Sequence, residues 1–157
     1  MIVRNQQEAL CVAVEMERRA IRTYERALMV STDPEVRQGL TTILADEKGH
    51  LERFGSMRQN CAMASHEEKV LIQAMAAQTL FPGGVMEMER EKGLNSLIGL
   101  YRFAAESEQD AVNTYLASAQ KCTSEEVREA FRAIAQEESN HLSQLKKTLS
   151  AMEGKNA

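Results

Sequence analysis

Apolar residues recur at intervals of three and four along four long segments of this chain, and the alternation of apolar and polar residues that is typical of β-strands is missing. This period predicts α-helices. Asn5 followed by Glu8 is a capping signal for the first helix, and Asp33 followed by Pro34 is one for the second. The two helices are therefore expected to form a hairpin over about residues 5–60.

A second pair of helical segments follows later in the chain. Asn95 and Ser96 stand at the expected start of the third helix, and Thr123 with Glu126 has the form of a capping box for the fourth. These signals predict a second hairpin over about residues 95–153.

The segment between the hairpins, about residues 61–94, is interpreted as a long crossover. Ser65 and Glu68 form a further capping signal, residues 70–80 have the pattern of a short amphipathic helix, and His66 is expected to be exposed in its first turn. A chain of 157 residues is long enough for one well-buried core. We therefore expect a single domain over residues 1–157 with an all-α fold, an antiparallel four-helix bundle of two duplicated hairpins joined by this crossover.

The two hairpins repeat one pattern of glutamate and histidine residues at a constant offset of 91 positions, with no gap. The repeated residues are Glu17, Glu47 and His50 in the first hairpin and Glu108, Glu138 and His141 in the second. A duplicated hairpin that keeps four carboxylates and two imidazoles in register predicts a two-metal site at the centre of the bundle.

Helix geometry brings these side chains to one level. Glu17 and Glu47 each lie 15 residues from Thr32, in the expected turn, so a rise of about 1.5 Å per residue places both roughly 22 Å from that turn. The second hairpin has the same spacing about Thr123. Within each Glu-x-x-His pair the two side chains project from one face of the helix, one turn apart, where both can contact one ion.

The charge of the set indicates what it binds. Four carboxylates in a dry core repel one another and either take up protons or recruit cations. Two divalent ions balance four carboxylates, and oxygen-rich coordination with one nitrogen per ion favours iron or manganese, although zinc also has the intrinsic affinity to bind. The alternative is a metal-free buried polar network.

Four more residues are candidates for the surroundings of the site. Asp46 and Glu137 each precede a ligand glutamate and could accept a hydrogen bond from the histidine of the opposite hairpin, although simple solvation explains them as well. Tyr24 and Tyr115 lie two turns beyond the first glutamate of each hairpin. They could reach a ligand carboxylate or serve as ordinary core tyrosines.

Composition limits the partners, the location and the cysteine-based sites that are expected for the protein. A net charge of -4 and a pI near 5.5, with acidic and basic residues interspersed, argue against nucleic acid or an anionic membrane as a partner. No stretch has the character of a signal peptide or a membrane span, so we expect a cytoplasmic protein. Three cysteines without a Cys-x-x-Cys pair disfavour a disulfide framework, a structural zinc and an iron–sulfur centre.

At its candidate ligands the chain resembles the ferritin-like di-iron carboxylate superfamily and, within it, is most similar to the rubrerythrin family. The family pattern of a glutamate, an alanine three residues later and a tyrosine seven residues later occurs as Glu17-Ala20-Tyr24 and again as Glu108-Ala111-Tyr115. The resemblance covers both hairpins.

This resemblance implies a ferritin-like bundle that holds two iron ions per chain. The implied ligands are Glu47 and Glu138 as bridges, Glu17 and Glu108 as terminal ligands, and one histidine, His50 or His141, on each ion. Reduced centres of this kind react with dioxygen or hydrogen peroxide. Related bundles often dimerise, so we also expect a homo-oligomer, a dimer.

Three departures from the relatives bear on the reaction. Rubrerythrins add a ligand glutamate where this chain has Ala111, which disfavours efficient peroxidase activity. No rubredoxin ligands are present, so electrons are expected from an external donor or from ferrous iron itself. The haem-binding methionine of bacterioferritin would fall at Lys48, and no short fifth helix follows, so haem and a storage shell are not expected.

The sequence therefore predicts a non-haem di-iron oxidoreductase of the ferroxidase or peroxidase type, which oxidises ferrous iron or a reduced partner with dioxygen or peroxide. Three alternatives stay open: an iron-binding or delivery protein without turnover, a helical interaction module with an inherited metal site, and a hydroxylase of an organic substrate.

Overall fold

The computed structural model describes residues 3–59, 69, 70, 73 and 96–155. It contains four long α-helices, namely α1 (Gln6–Val30), α2 (Pro34–Gln59), α3 (Leu97–Lys121) and α4 (Glu125–Lys155). Within these ranges there is no β-strand. Helix α1 packs against α2 and α3 packs against α4, and the two hairpins meet mainly through α1 and α3, with a smaller contact between α2 and α4. The predicted all-α four-helix bundle is confirmed.

The internal duplication extends to the helix boundaries. Helices α3 and α4 begin 91 residues after α1 and α2, and α3 also ends 91 residues after α1. The two hairpins therefore share one backbone plan, and equivalent side chains occupy equivalent places in it.

The predicted N-caps of the first three helices are confirmed. The side chain of Asn5 accepts a hydrogen bond from the backbone N–H of Glu8 at 2.9 Å. Asp33 accepts from the N–H groups two and three residues later at 2.9 and 3.2 Å, and Ser96 accepts from the N–H three residues later at 3.0 Å. Each cap satisfies N–H groups that have no partner within the first turn of a helix.

The expected capping box of Thr123 with Glu126 is wrong. Helix α4 begins at Glu125, and the hydroxyl of Ser124 accepts from the backbone N–H three residues later at 3.4 Å. Thr123 is instead tied to the start of α1, because its backbone N–H donates to the side-chain oxygen of Gln6 at 3.0 Å. The residue that caps α4 is therefore Ser124, one residue later than predicted.

Most of the crossover lies outside the described residues. This holds for the Ser65–Glu68 capping signal, for His66 and for nearly all of the expected helix over residues 70–80, although residues 69, 70 and 73 are helical. The extent of the single domain stays a prediction. Among the helices that the structure describes, none has the length and apolar character needed to cross a lipid bilayer.

An arginine from the first turn of the following helix holds each hairpin turn. Arg37 donates to the backbone carbonyl of Ser31 at 2.8 Å and to that of Leu28. Its counterpart Arg128 donates to the equivalent carbonyls of the second hairpin, at 2.6 and 3.2 Å. These carbonyls lie at the ends of α1 and α3, where intrahelical N–H partners run out, so each guanidinium supplies donors to acceptors at the turn.

The core consists of two apolar clusters. One surrounds Phe54, Tyr115 and Phe131, whose ring centroids lie 5.0–5.7 Å apart, and the other includes Leu40 and Leu145. On each of the four helices, the glutamates and histidines of the repeated set lie between residues of one cluster and residues of the other. The bundle therefore places the candidate ligands at its middle, with an apolar cluster on either side.

We predict that Arg128→Ala lowers the free energy of unfolding by about 1–2 kcal/mol, because hydrogen bonds from a charged donor to two turn carbonyls are lost. Arg132→Ala is the matched control, since the exposed Arg132 side chain pairs with Glu129 within one turn of the same helix and contributes about 0.5 kcal/mol or less. Urea unfolding in the presence of chelator measures both. Equal shifts of the two midpoints would contradict the role of Arg128 in holding the turn.

Candidate metal centre

All six residues of the repeated glutamate and histidine set are buried, and none exposes more than 5% of its surface. Six ionisable side chains in the interior of a chain of this size are costly unless each finds a compensating partner. Their side chains come together although they belong to four different helices.

The six side chains form two overlapping groups. One consists of Glu17, Glu47, His50 and Glu138, and the other of Glu47, Glu108, Glu138 and His141. Within each group one potential ligand atom per residue lies within 4.8 Å of all the others. Glu47 and Glu138 belong to both groups. This geometry suits two adjacent cations that share two carboxylates, with one further carboxylate and one imidazole for each cation.

Both histidines direct Nδ1 into the cluster. Nδ1 of His141 lies 3.0 Å from Glu138 and 2.9 Å from Glu47, and Nδ1 of His50 lies 3.3 Å from Glu138. The two rings stack with their centroids 6.0 Å apart. Each ring therefore offers one nitrogen to the centre, and the other nitrogen points outward.

The outward nitrogen of each histidine is held by a carboxylate of the opposite hairpin. Nε2 of His141 lies 3.0 Å from Asp46, and Nε2 of His50 pairs with Glu137. A histidine that binds a metal commonly donates its second N–H to a carboxylate in this way, because the bond orients the ring and leaves the inner nitrogen unprotonated. The structure thus brings Asp46 and Glu137 to the positions that the sequence suggested for them.

The two tyrosines of the repeat also cross between hairpins. The Tyr115 hydroxyl donates to Oε1 of Glu17 at 2.7 Å, and the Tyr24 hydroxyl donates to Oε1 of Glu108. Burial raises the pKa of both phenols well above the ordinary value, and the adjacent carboxylates raise it further. Both hydroxyls therefore remain protonated donors that orient a carboxylate.

Sequence reasoning did not say which carboxylate each tyrosine reaches. The pairing depends on the direction of the helices. On both α1 and α3 the glutamate precedes the tyrosine, and each tyrosine bonds to the glutamate of the other helix, so the two helices must run antiparallel. The 91-residue repeat could have indicated this pairing, because a two-fold relation between the hairpins exchanges the two bonds.

The pKa values of the buried glutamates and histidines are shifted when no cation is present. Burial raises the pKa of Glu47 well above its ordinary value and that of Glu138 to about 7. Burial alone would raise the pKa of Glu17 and lower those of His50 and His141, but close contacts with the other charged side chains of the cluster outweigh it and shift all three pKa values in the opposite direction. Bound protons thus compensate part of the negative charge that metal cations could also compensate.

Hydrogen bonds within the protein leave several of these atoms without a partner. Among the described residues, Oε2 of Glu17, Oε1 of Glu47 and Nδ1 of His50 are buried and make no hydrogen bond. Oε1 of Glu47 lies near Nδ1 of His141, but without hydrogen-bond geometry. Buried polar atoms without a hydrogen-bond partner are rare, and all three of these belong to residues of the two ligand groups. The residues therefore fit a metal centre better than a self-sufficient polar network.

We predict that Glu47→Gln stabilises the metal-free protein at pH 7 by about 1 kcal/mol, since it removes a carboxylate that is costly to bury. Because the pKa of Glu47 is raised above its ordinary value of 4.5, its ionisation weakens the fold as the pH rises past that value, and the advantage of the variant should shrink toward pH 4.5.

The same substitution should reduce the stabilisation by divalent metal, which for the native chain amounts to about 2.7 kcal/mol at a metal concentration 100-fold above Kd. Thermal unfolding in chelator and in anaerobic Fe(II) measures both effects. Glu129→Gln, at an exposed site on α4, is the control. A destabilised metal-free Glu47→Gln protein that still gains full stability from metal would contradict the assignment.

Comparison with known protein families gives a match to part of the chain. A family model described as Rubrerythrin matches residues 101–157, which hold Glu108, Glu138 and His141. No curated protein and no solved structure matches the chain. The matched segment covers most of α3 and all of α4, and the first hairpin repeats their ligand pattern at a constant offset. The match confirms the resemblance of this chain to the rubrerythrin family of ferritin-like proteins.

Proposed function

We propose that this protein is a non-haem di-iron oxidoreductase that uses dioxygen or hydrogen peroxide to oxidise ferrous iron or a reduced partner. The observation that carries the proposal is the pair of overlapping ligand groups, which share Glu47 and Glu138 and lie wholly in the core. The family match over the second hairpin supports the same reading.

The proposal assigns the six residues as ligands of two iron ions. Glu47 and Glu138 belong to both groups and would be shared by the two ions, and Glu17 with His50 and Glu108 with His141 would complete the two sites. When bound, two adjacent irons can together supply two electrons to one oxidant molecule. Manganese and zinc suit the same donors, so the native metal is part of the proposal.

The other residues of the centre orient the ligands and keep water out. Tyr24 and Tyr115 each donate to one terminal carboxylate, which limits its rotation. Asp46 and Glu137 fix the histidine rings from outside. The apolar clusters on both sides lower the local dielectric, so the charges of ligands and cations interact strongly.

Ala111 bears on which reaction is favoured. It is buried beside the centre and supplies no carboxylate at the place where rubrerythrins have a further ligand. The proposal therefore favours oxidation of ferrous iron over efficient turnover of peroxide. The same observation also favours the second candidate, an iron-binding or delivery protein that holds its metal without turnover. The external electron donor, the dimer and the cytoplasmic location remain predictions.

We predict that the metal-free protein, loaded anaerobically with Fe(II) and then mixed with dioxygen or peroxide, consumes oxidant faster than the same concentration of free iron. Oxygen-electrode traces and ferric absorbance measure the rate. Glu138→Gln should lower it by at least about tenfold, since it removes a shared ligand, whereas Glu129→Gln on the same helix should match the native chain.

Stoichiometry separates the two candidates. Oxidation of many ferrous ions per chain in successive additions supports the enzyme. Oxidation that stops after one filling of the site supports the carrier, and oxidant consumption no faster than that of free iron rejects the oxidoreductase.

A further inference from the structure

The candidate centre contains two subsites built from the same residue types. We call the pair of Glu17 and His50 the first subsite and the pair of Glu108 and His141 the second. Glu47 and Glu138 are shared by both. The 91-residue offset places the ligands of one subsite on those of the other, so a difference between the subsites must come from how the side chains are held.

The shared carboxylates direct one oxygen toward each histidine. For Glu138, Oε1 lies 3.3 Å from Nδ1 of His50, and Oε2 lies 3.0 Å from Nδ1 of His141. For Glu47, Oε2 lies 3.8 Å from Nδ1 of His50, and Oε1 lies 2.9 Å from Nδ1 of His141. Both shared glutamates are therefore closer to His141, and the second subsite is the more contracted of the two.

The inner nitrogens of the two histidines differ in hydrogen bonding. Nδ1 of His141 and Oε2 of Glu138 share a hydrogen bond of 3.0 Å. Nδ1 of His50 is buried and makes no hydrogen bond within the described part of the chain. Metal ligands must give up their protons, so a cation that binds both partners of the first bond displaces it, whichever atom carries the proton. A cation beside His50 displaces no such bond.

The terminal glutamates differ in the same sense. Tyr115 donates to Oε1 of Glu17 and leaves Oε2, which lies 3.7 Å from Nδ1 of His50, buried and without a hydrogen bond among the described residues. Tyr24 donates to Oε1 of Glu108, and this same oxygen lies 3.7 Å from the inner nitrogen of the second subsite. The glutamate oxygen near the histidine thus has no hydrogen bond in the first subsite and accepts one in the second.

The outer carboxylates are the point at which the sequence of the centre departs from the duplication. The six ligands and both tyrosines are identical at equivalent positions, but Asp46 in the first hairpin corresponds to Glu137 in the second. The shorter Asp46 holds Nε2 of His141, and the longer Glu137 holds Nε2 of His50. The two imidazoles are therefore held from outside by side chains of different reach.

We propose that the two subsites fill in a fixed order, with the first cation bound at the first subsite, between Glu17 and His50. The inference rests on the proposed function only in that it concerns the same di-metal centre. A cation there supplies a partner to buried atoms that have none, which relieves the cost of leaving them unsatisfied. A cation at the second subsite displaces the bond between His141 and Glu138, and it is also repelled by the cation already bound.

The test uses Mn(II), which suits the same donors, added anaerobically to the metal-free full chain. Isothermal titration calorimetry measures the affinities of the first and the second ion. Glu17→Gln and Glu108→Gln are a matched pair, since the two glutamates are 1% and 3% exposed and each accepts from a tyrosine that a glutamine oxygen can still accept from. Both substitutions remove a buried charge, so both variants should fold.

We expect Glu17→Gln to weaken binding of the first ion at least about tenfold, because that ion is then left with the less favourable subsite. Glu108→Gln should change the affinity for the first ion by less than about threefold and weaken binding of the second at least about tenfold. An equal effect of the two substitutions on the first ion, a larger effect of Glu108→Gln, or no binding of Mn(II) to the native chain would overturn the inference.

A crystal of the native chain with one equivalent of Mn(II) gives an independent measurement. Anomalous diffraction should show one peak per chain, nearer to Nδ1 of His50 than to Nδ1 of His141. Two peaks of equal height, or a single peak nearer to His141, would contradict the proposed order.

Failure of this inference is distinguishable from failure of the proposed function. If the native chain oxidises ferrous iron but Glu17→Gln and Glu108→Gln weaken the first ion equally, only the order of filling fails. If Mn(II) fills the subsites in the proposed order but oxidant is consumed no faster than by free iron, only the proposed function fails.

Discussion

The burial of four carboxylates at one level of a small helical bundle is the constraint on which the rest of the structure depends. Water can solvate these charges only slightly, because none of the four glutamates exposes more than 3% of its surface and apolar clusters lie on both sides of them along every helix. In the absence of cations the cluster binds protons, as the raised pKa values of Glu47 and Glu138 indicate. Two divalent cations would balance the same charge and satisfy the acceptors that remain without partners.

The centre also ties the two hairpins together. One tyrosine of each hairpin, Tyr24 or Tyr115, donates to a glutamate of the other hairpin. One outer carboxylate of each hairpin, Asp46 or Glu137, contacts a histidine of the other. These four contacts follow a two-fold relation, as the duplication requires. The direct contact between α2 and α4 is small, and these helices are joined by the polar contacts of Asp46 and Glu137 with the histidines and by the packing of Phe54 against Phe131. Metal binding at this centre would therefore be coupled to the packing of the bundle.

The sequence predicted the helices and the meeting of the six ligands because both follow from periodicity and from the 91-residue repeat. A repeated Glu-x-x-His on one helix face leaves few other arrangements. It did not predict the cap of α4, where Thr123 pairs with Gln6 and Ser124 takes its place, since that choice depends on a contact with a distant helix. Nor could it reveal the cavity that lies between α1 and α3 beside the candidate centre, because its volume depends on how closely the two helices approach, which no local pattern records.

A crystal of the metal-loaded protein tests most directly whether two cations share one centre. Anomalous diffraction measured at the iron edge should show two peaks per chain, one near Glu17 and His50 and one near Glu108 and His141, with Glu47 and Glu138 between them. A single peak, a peak elsewhere in the molecule, or no iron after anaerobic loading would contradict the di-metal centre.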